Sequence, residues 1–333
     1  MKPIALDAMG GDHMPAAAVE GAVAAAREGI PVVLVGDEDV LEAELAKHGE
    51  KLPIHPAEDV IAMEDSAVDV RRRRQSSVMV AMRLVKEGEA SACISMGHSG
   101  ATMAAALLVL GRLRGVERPA ILANIPIVGG YAALIDVGAN AENRAIHLQQ
   151  FAVMGSLYAE AFYQKEAPTV GLMSIGEEPQ KGTDLTREAH ELLKGTPGIN
   201  FFGNVEGRDL FMGTTDVVVT DGFTGNVMLK LAEGEARVLF GMIRTALSSS
   251  LPVRLAALVV RPALRKIRDR FDPAEYGAQP LLGVDGYVLI GHGRSDGRSV
   301  QSAIRTARRA VEAELLGKIR GGLGLLGERV SAS

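Results

Sequence analysis

The chain has 333 residues, of which 47% are hydrophobic and 23% are charged, and this balance is typical of a globular protein rather than a disordered one. Its 36 Lys and Arg residues against 41 Asp and Glu residues give a net charge of −5, so nucleic acid is not predicted as a partner. A single cysteine, Cys93, excludes an internal disulfide and indicates a reducing compartment.

The N-terminal residues carry no recognisable export signal, because Asp7 interrupts the region where a signal peptide has its apolar run. Of the two long uncharged stretches, residues 99–111 are too short to cross a bilayer, and residues 119–135 are interrupted by asparagine, proline and glycine. The sequence therefore predicts a cytoplasmic protein without a membrane span.

Short β-branched runs alternate with helical patterns along the chain. The predicted strands are 4–8, 32–35, 92–95, 133–137, 169–174, 217–220 and 287–290. The first three are followed by predicted helices at 16–27, 39–48 and 102–110. This alternation predicts an α/β fold with a largely parallel sheet wrapped by helices. No linker or repeat divides the sequence, so residues 1–333 are interpreted as a single catalytic unit.

One segment departs from this alternation. Residues 251–271 carry six basic residues against one acidic residue, a local charge of +5 in an acidic protein. Apolar residues recur there at largely helical spacing, at Leu251, Leu255, Leu258, Val259 and Leu264. We therefore expect two short amphipathic helices separated by Pro262, within a protruding arm at about 246–273.

Six glycine-containing junctions lie where a predicted strand ends and a helix begins. Free backbone N–H groups and the helix dipole favour an anion at such a junction, although glycine there can also serve the turn alone. The phosphate-binding candidates are Asp7, Gly10, Gly11, Asp12, Gly97, Ser99, Gly100, Thr102, Asp136, Asn140, Gly182, Asp221, Gly222, Gly225, His292 and Gly293. The aspartates at strand ends have an alternative role, which is to cap their own turns.

Standard catalytic motifs do not account for these junctions. The spacing Gly291-x-Gly293-x-x-x-Gly297 has no following strand to carry a ribose-binding acid, and a Walker A loop and a serine-hydrolase elbow are absent. Cys93 lies in an apolar run and is interpreted as a small hydrophobic residue rather than a nucleophile. No His/Cys spacing indicates a metal, so neither a metal nor a cofactor is predicted.

Several of the segments form a recognisable set in chain order. They are Asp7-Ala-Met-Gly-Gly-Asp-His13, Asp136-Val-Gly-Ala-Asn140, Ile175-Gly-Glu-Glu178 with Lys181-Gly182, Gly203-Asn-Val-Glu-Gly-Arg-Asp209, Asp221-Gly-x-x-Gly-Asn226 and Tyr276-Gly-x-x-Pro-Leu-Leu-Gly283. From about residue 2 to residue 315, the set resembles the bacterial phosphate acyltransferase (PlsX) family. The sequence departs from the family pattern at His98, where the family commonly has an asparagine.

The resemblance implies transfer of a long-chain acyl group from acyl-[acyl carrier protein] to inorganic phosphate. The acyl phosphate product would then supply a membrane glycerol-3-phosphate acyltransferase. The resemblance also implies a homodimer, and a fold like that of isocitrate and isopropylmalate dehydrogenases, which phosphotransacetylase shares.

The residue types suggest how such a reaction would proceed, since phosphate must be held beside a thioester carbonyl and the oxyanion must meet fixed donors. Lys181 offers a positive charge and Asn226 an amide at a helix start, and the resemblance points to both. His13 is the candidate for keeping phosphate nucleophilic or protonating the departing thiolate. The basic run 71–74 is interpreted either as a solvated helix edge or as a docking patch for the acidic carrier protein.

The arm also has two interpretations. It either packs in a dimer or makes reversible contact with the inner face of the membrane, with its apolar residues in the interface and its arginines on anionic lipid heads. The resemblance supports membrane contact. Two other functions stay open, a phosphotransacetylase that uses acyl-CoA and a scaffold without catalysis, while a dehydrogenase would follow from fold analogy alone.

Overall fold

The computed structural model of the chain describes residues 1–330. Its strands are β1 (Ile4–Asp7), β2 (Val32–Gly36), β3 (Ile54–Pro56), β4 (Ala92–Ser95), β5 (Ala120–Ile127), β6 (Gly130–Ile135), β7 (Thr169–Met173), β8 (Asn200–Val205), β9 (Val217–Val219), β10 (Ala278–Leu282) and β11 (Val288–Gly291). Its α-helices are α1 (Ala16–Arg27), α2 (Glu38–His48), α3 (Ser77–Lys86), α4 (Ser99–Val109), α5 (Ala145–Tyr163), α6 (Asp184–Lys194), α7 (Gly207–Met212), α8 (Gly222–Leu247), α9 (Leu251–Arg270), α10 (Gly297–Glu312) and α11 (Leu315–Val330).

These strands form one sheet in the order β3-β2-β1-β4-β11-β10-β5-β6-β9-β7-β8. Neighbouring strands are parallel from β3 to β11 and again from β6 to β8. The three central pairs, β11 with β10, β10 with β5 and β5 with β6, are antiparallel. The predicted α/β fold with a largely parallel sheet is therefore confirmed, while the sequence did not reveal the antiparallel centre.

The three reversals at the centre have a geometric consequence. The first half-sheet (β1 to β4 with β11) and the second half-sheet (β6 to β9) point in opposite directions. Because loops at the carboxyl ends of parallel strands form the sites of α/β proteins, this fold has two such edges. Helix α8 begins at the carboxyl end of β9 and extends from there to the arm.

Apolar residues fill the sheet on both faces, as expected for parallel strands covered by helices. In β1, Ile4, Ala5 and Leu6 are completely buried. Cys93 in β4 is also buried, and desolvation raises the pKa of its thiol well above the ordinary value. This confirms the interpretation of Cys93 as a core residue, because a protonated, inaccessible thiol is a poor nucleophile.

The arm is a hairpin made of the outer part of α8 and the whole of α9. Pro262 lies inside α9, so the expectation of two short helices separated by this proline is wrong. None of the residues described in α9 is buried, so water can satisfy the carbonyl that proline leaves without a donor. At the base of the arm, Arg270 donates to the carbonyl oxygens of Ile127 and Gly130 in the β5–β6 turn.

Among residues 1–330, no helix is both long enough and apolar enough to cross a membrane.

Candidate active site

Three of the predicted junctions meet at the carboxyl edge of the first half-sheet, in what we call the first glycine cluster. A Cβ on Gly10 would lie 3.2 Å from the Cα of Gly97 and 2.7 Å from Oδ2 of Asp7. The backbone N–H of Asp12 donates to the carbonyl of Gly293 at 2.7 Å. The loops after β1 and β4 therefore approach so closely that a side chain on Gly10 would displace them, and the loop after β11 is hydrogen-bonded to the loop after β1.

Asp7 holds the loop after β1. Its carboxylate is buried and accepts hydrogen bonds from the backbone N–H groups of Met9 at 3.3 Å and Gly10 at 3.2 Å. It also accepts one from the hydroxyl of Ser95 at 2.7 Å. These contacts support the turn-capping role of Asp7, and direct phosphate binding by this residue stays a prediction.

The loop after β4 ends in a capped helix. His98 occupies the N-cap position of α4, where its Nδ1 accepts a hydrogen bond from the backbone N–H of Ala101 at 3.1 Å. The hydroxyl of Thr102 is buried and donates to the carbonyl of His98 at 3.2 Å, whereas Ser99 is exposed. An asparagine oxygen would make the same cap, which explains how an imidazole can replace the amide here.

The second half-sheet carries a separate group of junctions at its own carboxyl edge, the second glycine cluster. Asp136 is completely buried there, and its Oδ1 accepts from the N–H groups of Ile121 at 3.1 Å, Gly138 at 3.1 Å and Ala139 at 3.0 Å. Its Oδ2 accepts from the backbone N and from Nδ2 of Asn140, both at 2.9 Å. Burial raises the pKa of Asp136, and the five hydrogen bonds oppose that shift.

The first turn of α8 packs directly on this loop. A Cβ on Gly222 would lie 2.4 Å from the carbonyl oxygen of Asn140, and one on Gly225 would lie 1.9 Å from that of Asp136. Backbone atoms cannot give way as a flexible side chain can, so both positions require glycine. The predicted junctions around Asp136 and Gly222 are therefore in contact.

Asn226 follows in the next turn of α8. Its Nδ2 donates to the carbonyl of Val137 at 3.1 Å, and Asp221 caps the helix by accepting from the backbone N–H of Thr224 at 2.9 Å. A side-chain amide has two N–H donors, and the bond to Val137 uses one of them. Asn226 is exposed, so its second N–H is available to a ligand.

Lys181 lies in the loop after β7, and its side chain is exposed. The carbonyl of Glu178 accepts hydrogen bonds from the backbone N–H of Lys181 at 3.0 Å and from Nδ2 of Asn204 at 2.9 Å. The Oδ1 of Asn204 is in turn 2.8 Å from Nδ1 of the buried His190. Asn204 was not predicted as a site residue, although it lies in one of the recognised segments, and it fixes the loop that carries Lys181.

The order of the sheet brings Lys181 and Asn226 to one edge. Strand β9 precedes α8 and lies between β6 and β7, and all three strands are parallel. Neighbouring strands are about 4.8 Å apart, so the loops that follow them are adjacent. Gly182 adopts a left-handed φ of 97°, and a Cβ there would lie 2.2 Å from the hydroxyl of Thr186, so the turn beside Lys181 also requires glycine.

The two candidate histidines lie at the other edge. His13 is exposed in the turn before α1, and His292 follows β11 with its Nε2 3.9 Å from Oε1 of Glu233 in α8. Partial burial and nearby Lys230 lower the pKa of His292, against the influence of Glu233, so its ring is neutral near pH 7. The structure therefore does not place His13 on the half-sheet of Lys181 and Asn226, and its catalytic role stays a prediction.

Helix α8 connects the two clusters. Asn226 and Glu233 are seven residues apart, which is about 10 Å along the axis and nearly two full turns, so they share a helix face. The sequence predicted phosphate binding by both the Gly97 loop and the Gly222 loop. In the structure these two loops lie at different ends of the α8 segment that joins the clusters.

The basic run 71–74 follows a segment whose Ala67 lies against Gly100 of the first cluster. Arg73 pairs with the carboxylates of Asp59 and Asp65, so its charge is used within the protein. Arg71, Arg72 and Arg74 are exposed. Three of the four arginines are therefore available to an acidic partner.

Comparison with known proteins decides the family. Residues 2–318 match the family described as "Fatty acid synthesis protein". A phosphate acyltransferase of Thermus thermophilus is 60% identical over 317 residues, which cover 95% of this chain and 97% of that protein. This chain belongs to the phosphate acyltransferase (PlsX) family. Another phosphate acyltransferase, from Geobacter sulfurreducens, is 50% identical over 313 residues, which cover 92% of this chain and 90% of that protein.

Solved structures place this phosphate acyltransferase family member in a known fold. A phosphotransacetylase from Streptococcus pyogenes superposes with a TM-score of 0.65 at 17% identity, covering 93% of this chain and 94% of that chain. A branched-chain phosphotransacylase from Enterococcus faecalis superposes with a TM-score of 0.57 at 14% identity, covering 93% of this chain and 99% of that chain. The phosphotransacetylase-like fold is confirmed, and family membership confirms the predicted acyltransferase class.

Proposed function

We propose that this member of the phosphate acyltransferase family transfers a long-chain acyl group from acyl-[acyl carrier protein] to inorganic phosphate. A phosphate oxygen attacks the thioester carbonyl, the C–S bond breaks, and acyl phosphate and the carrier-protein thiol are formed. The observation that carries the proposal is the presence of Lys181 and Asn226 on adjacent loops at one edge of the second half-sheet. A cation and a free amide N–H are suited to phosphate and to an oxyanion.

Each group has a distinct task in this mechanism. Lys181 neutralises phosphate and brings it to the carbonyl, and the second N–H of Asn226 donates to phosphate or to the oxyanion. No protein nucleophile is required, since phosphate itself attacks. The departing thiolate takes up a proton, and His13 was the residue predicted to supply it.

The carrier protein would approach the first cluster. Carrier proteins are strongly acidic, and Arg71, Arg72 and Arg74 are exposed. The segment before them lies over the cluster, because a Cβ on Gly100 would lie 3.2 Å from Cβ of Ala67. Electrostatic attraction at this position would hold the carrier protein beside the first cluster.

The decisive experiment measures carrier-protein thiol released from palmitoyl-[acyl carrier protein], with and without inorganic phosphate. We expect release to require phosphate and to fall about 100-fold or more in Lys181→Ala, the usual cost of removing an oxyanion donor. Lys47→Ala removes an exposed lysine in α2, far along the chain from the proposed site, and serves as the matched control.

Each other outcome points to a different function. Equal release without phosphate would indicate a thioesterase and contradict the phosphate site. Preference for acyl-CoA would indicate a phosphotransacetylase. Retention of partner binding with no release from either thioester would indicate a scaffold.

For the arm we propose reversible contact with the inner face of the membrane, where a membrane glycerol-3-phosphate acyltransferase would use the product. Leu251, Leu255, Leu258 and Val259 are between 60% and 82% exposed, whereas Leu264 is half-buried. Exposed apolar residues among arginines suit an interface with anionic lipid.

The double variant Leu255→Glu with Leu258→Glu tests this contact. We expect it to abolish sedimentation with anionic liposomes while thiol release in solution is kept. Leu108→Glu makes the same change at another exposed leucine, which is 50% exposed and lies on α4. Unchanged sedimentation of the double variant would contradict membrane contact and favour the alternative, a homodimer packed through the arm, which its mass in solution would reveal.

A further inference from the structure

A partly enclosed cavity lies beside the helix that joins the two glycine clusters. It has a volume of about 110 Å³ and lies between β5, α8, β10 and the base of the arm. Its wall is mainly apolar, with contributions from Ala123, Ile125, Phe211, Leu229, Ala236 and Phe271. Pockets with such walls bind apolar groups.

The near end of the cavity is close to Asn226. Leu229 lines the cavity and lies three residues further along α8, which is about 5 Å along the helix axis. Ala232, Glu233 and Ala236 continue the lining along the next two turns. A substrate whose carbonyl is held at Asn226 can therefore extend its chain along α8 into the cavity.

The far end of the cavity is at the base of the arm. The ring of Phe271 lines the cavity and packs against Phe240 of α8, with ring centroids 5.9 Å apart. Phe211 and Phe271 are 41% and 43% exposed, so the wall continues to the surface at this end. The cavity thus runs along α8 from Leu229, about one turn beyond Asn226, towards the segment proposed to meet the membrane.

We propose that this cavity binds the acyl chain of the substrate, with the chain entering one helical turn beyond Asn226 and its tail lying at the base of the arm. The proposal rests on the proposed function, which supplies a long-chain acyl thioester. A hydrocarbon chain is the occupant that an apolar wall next to a carbonyl site fits. Each methylene buried in such a wall raises affinity about fourfold.

The small residues of α8 set how far the chain can reach. Ala236 lines the cavity two to three turns beyond Asn226, so a large side chain there would block the far part and leave the near part open. If Ala236→Phe displaces three methylenes, kcat/KM for palmitoyl-[acyl carrier protein] should fall about 60-fold. In the same variant, kcat/KM for an octanoyl thioester should change less than twofold.

Ala246→Phe provides the matched control. Ala246 is exposed near the outer end of the same helix and is not among the residues that line the cavity. We expect its chain-length preference to equal that of the native protein. An unchanged preference in Ala236→Phe would overturn the assignment of the cavity, even if phosphate-dependent thiol release is observed.

A binding measurement separates this site from the reaction. The sequence contains no tryptophan, so Phe211→Trp introduces a single one in the cavity wall. Palmitic acid brominated near its tail should quench the tryptophan fluorescence saturably. Combining Phe211→Trp with Ala236→Phe in one variant should abolish the quenching. If Phe211→Trp does not fold, Phe271→Trp takes its place. Saturable quenching without thiol release would refute the proposed reaction alone, and absent quenching would refute the chain site alone.

Discussion

The carboxylate of Asp136 is the best place to test how the second glycine cluster is held together. Its two oxygens accept five hydrogen bonds, three at Oδ1 and two at Oδ2. In Asp136→Asn one oxygen becomes an amide NH2 group, which can only donate. Placed at Oδ2, the position with fewer donors, the NH2 would leave two buried N–H groups without acceptors.

The magnitude follows from those two groups. A buried donor without a partner costs about 1–3 kcal/mol, so two cost about 2–6 kcal/mol. Replacing a buried charge by a neutral amide offsets part of this cost. We therefore expect the free energy of unfolding to fall by about 2–4 kcal/mol, a large part of the ~5–15 kcal/mol typical of folded proteins.

Urea unfolding followed by circular dichroism measures the change. Asp221→Asn is the matched control, because Asp221 accepts one N–H as the N-cap of α8 and asparagine caps a helix equally well. We expect that control to stay within about 0.5 kcal/mol of the native protein. A loss below about 1 kcal/mol in Asp136→Asn would show that the loop does not depend on the five hydrogen bonds, and the organising role given to this carboxylate would be wrong.

Other predictions follow from close contacts and burial. Gly225→Ala should lower the free energy of unfolding by about 3 kcal/mol or prevent folding, because its Cβ would overlap a backbone carbonyl. Gly234→Ala on the same helix has open space around it and should raise the free energy of unfolding by up to about 1 kcal/mol. Urea titrations measure both changes. Asn204→Asp removes an N–H that holds the Lys181 loop, so we expect kcat of thiol release to fall about tenfold, and an unchanged kcat would contradict the positioning role. Cys93 should resist iodoacetamide at pH 8 in the folded protein and react in urea, because burial raises the pKa of its thiol. Rapid labelling of the native protein would show that β4 opens.

The inner parallel strands of each half-sheet were predictable because their signal is local, whereas the edge strands β3 and β8 were not predicted. β1 and β4 are short, fully buried apolar runs, and such runs identify parallel strands from sequence alone. The antiparallel centre was missed because its strands contain residues that argue against a strand. Pro126 in β5 pairs with Tyr131, and Pro280 in β10 pairs with Leu289, although proline is unusual within a sheet.

The candidate site was only partly predictable for the same reason. Each glycine junction could be recognised from its own residues, but their grouping depends on contacts between distant segments, such as Asp12 with Gly293. The reversal of the half-sheets, which separates His13 from Lys181, is also set by distant pairing. Asn204 could have been found from its recognised segment, but its task is visible only in its contact with Glu178.

Helix α8 contains 26 residues and is about 39 Å long, with Asn226 near its start and the outer half of its length in the arm. A continuous helix of this length behaves as a stiff rod. Its inner end rests on the Asp136 loop through two glycines that allow no slack, so that contact acts as a pivot. Asn226 lies beside this pivot, so a tilt of the arm would displace its tip much further than the amide at the phosphate edge.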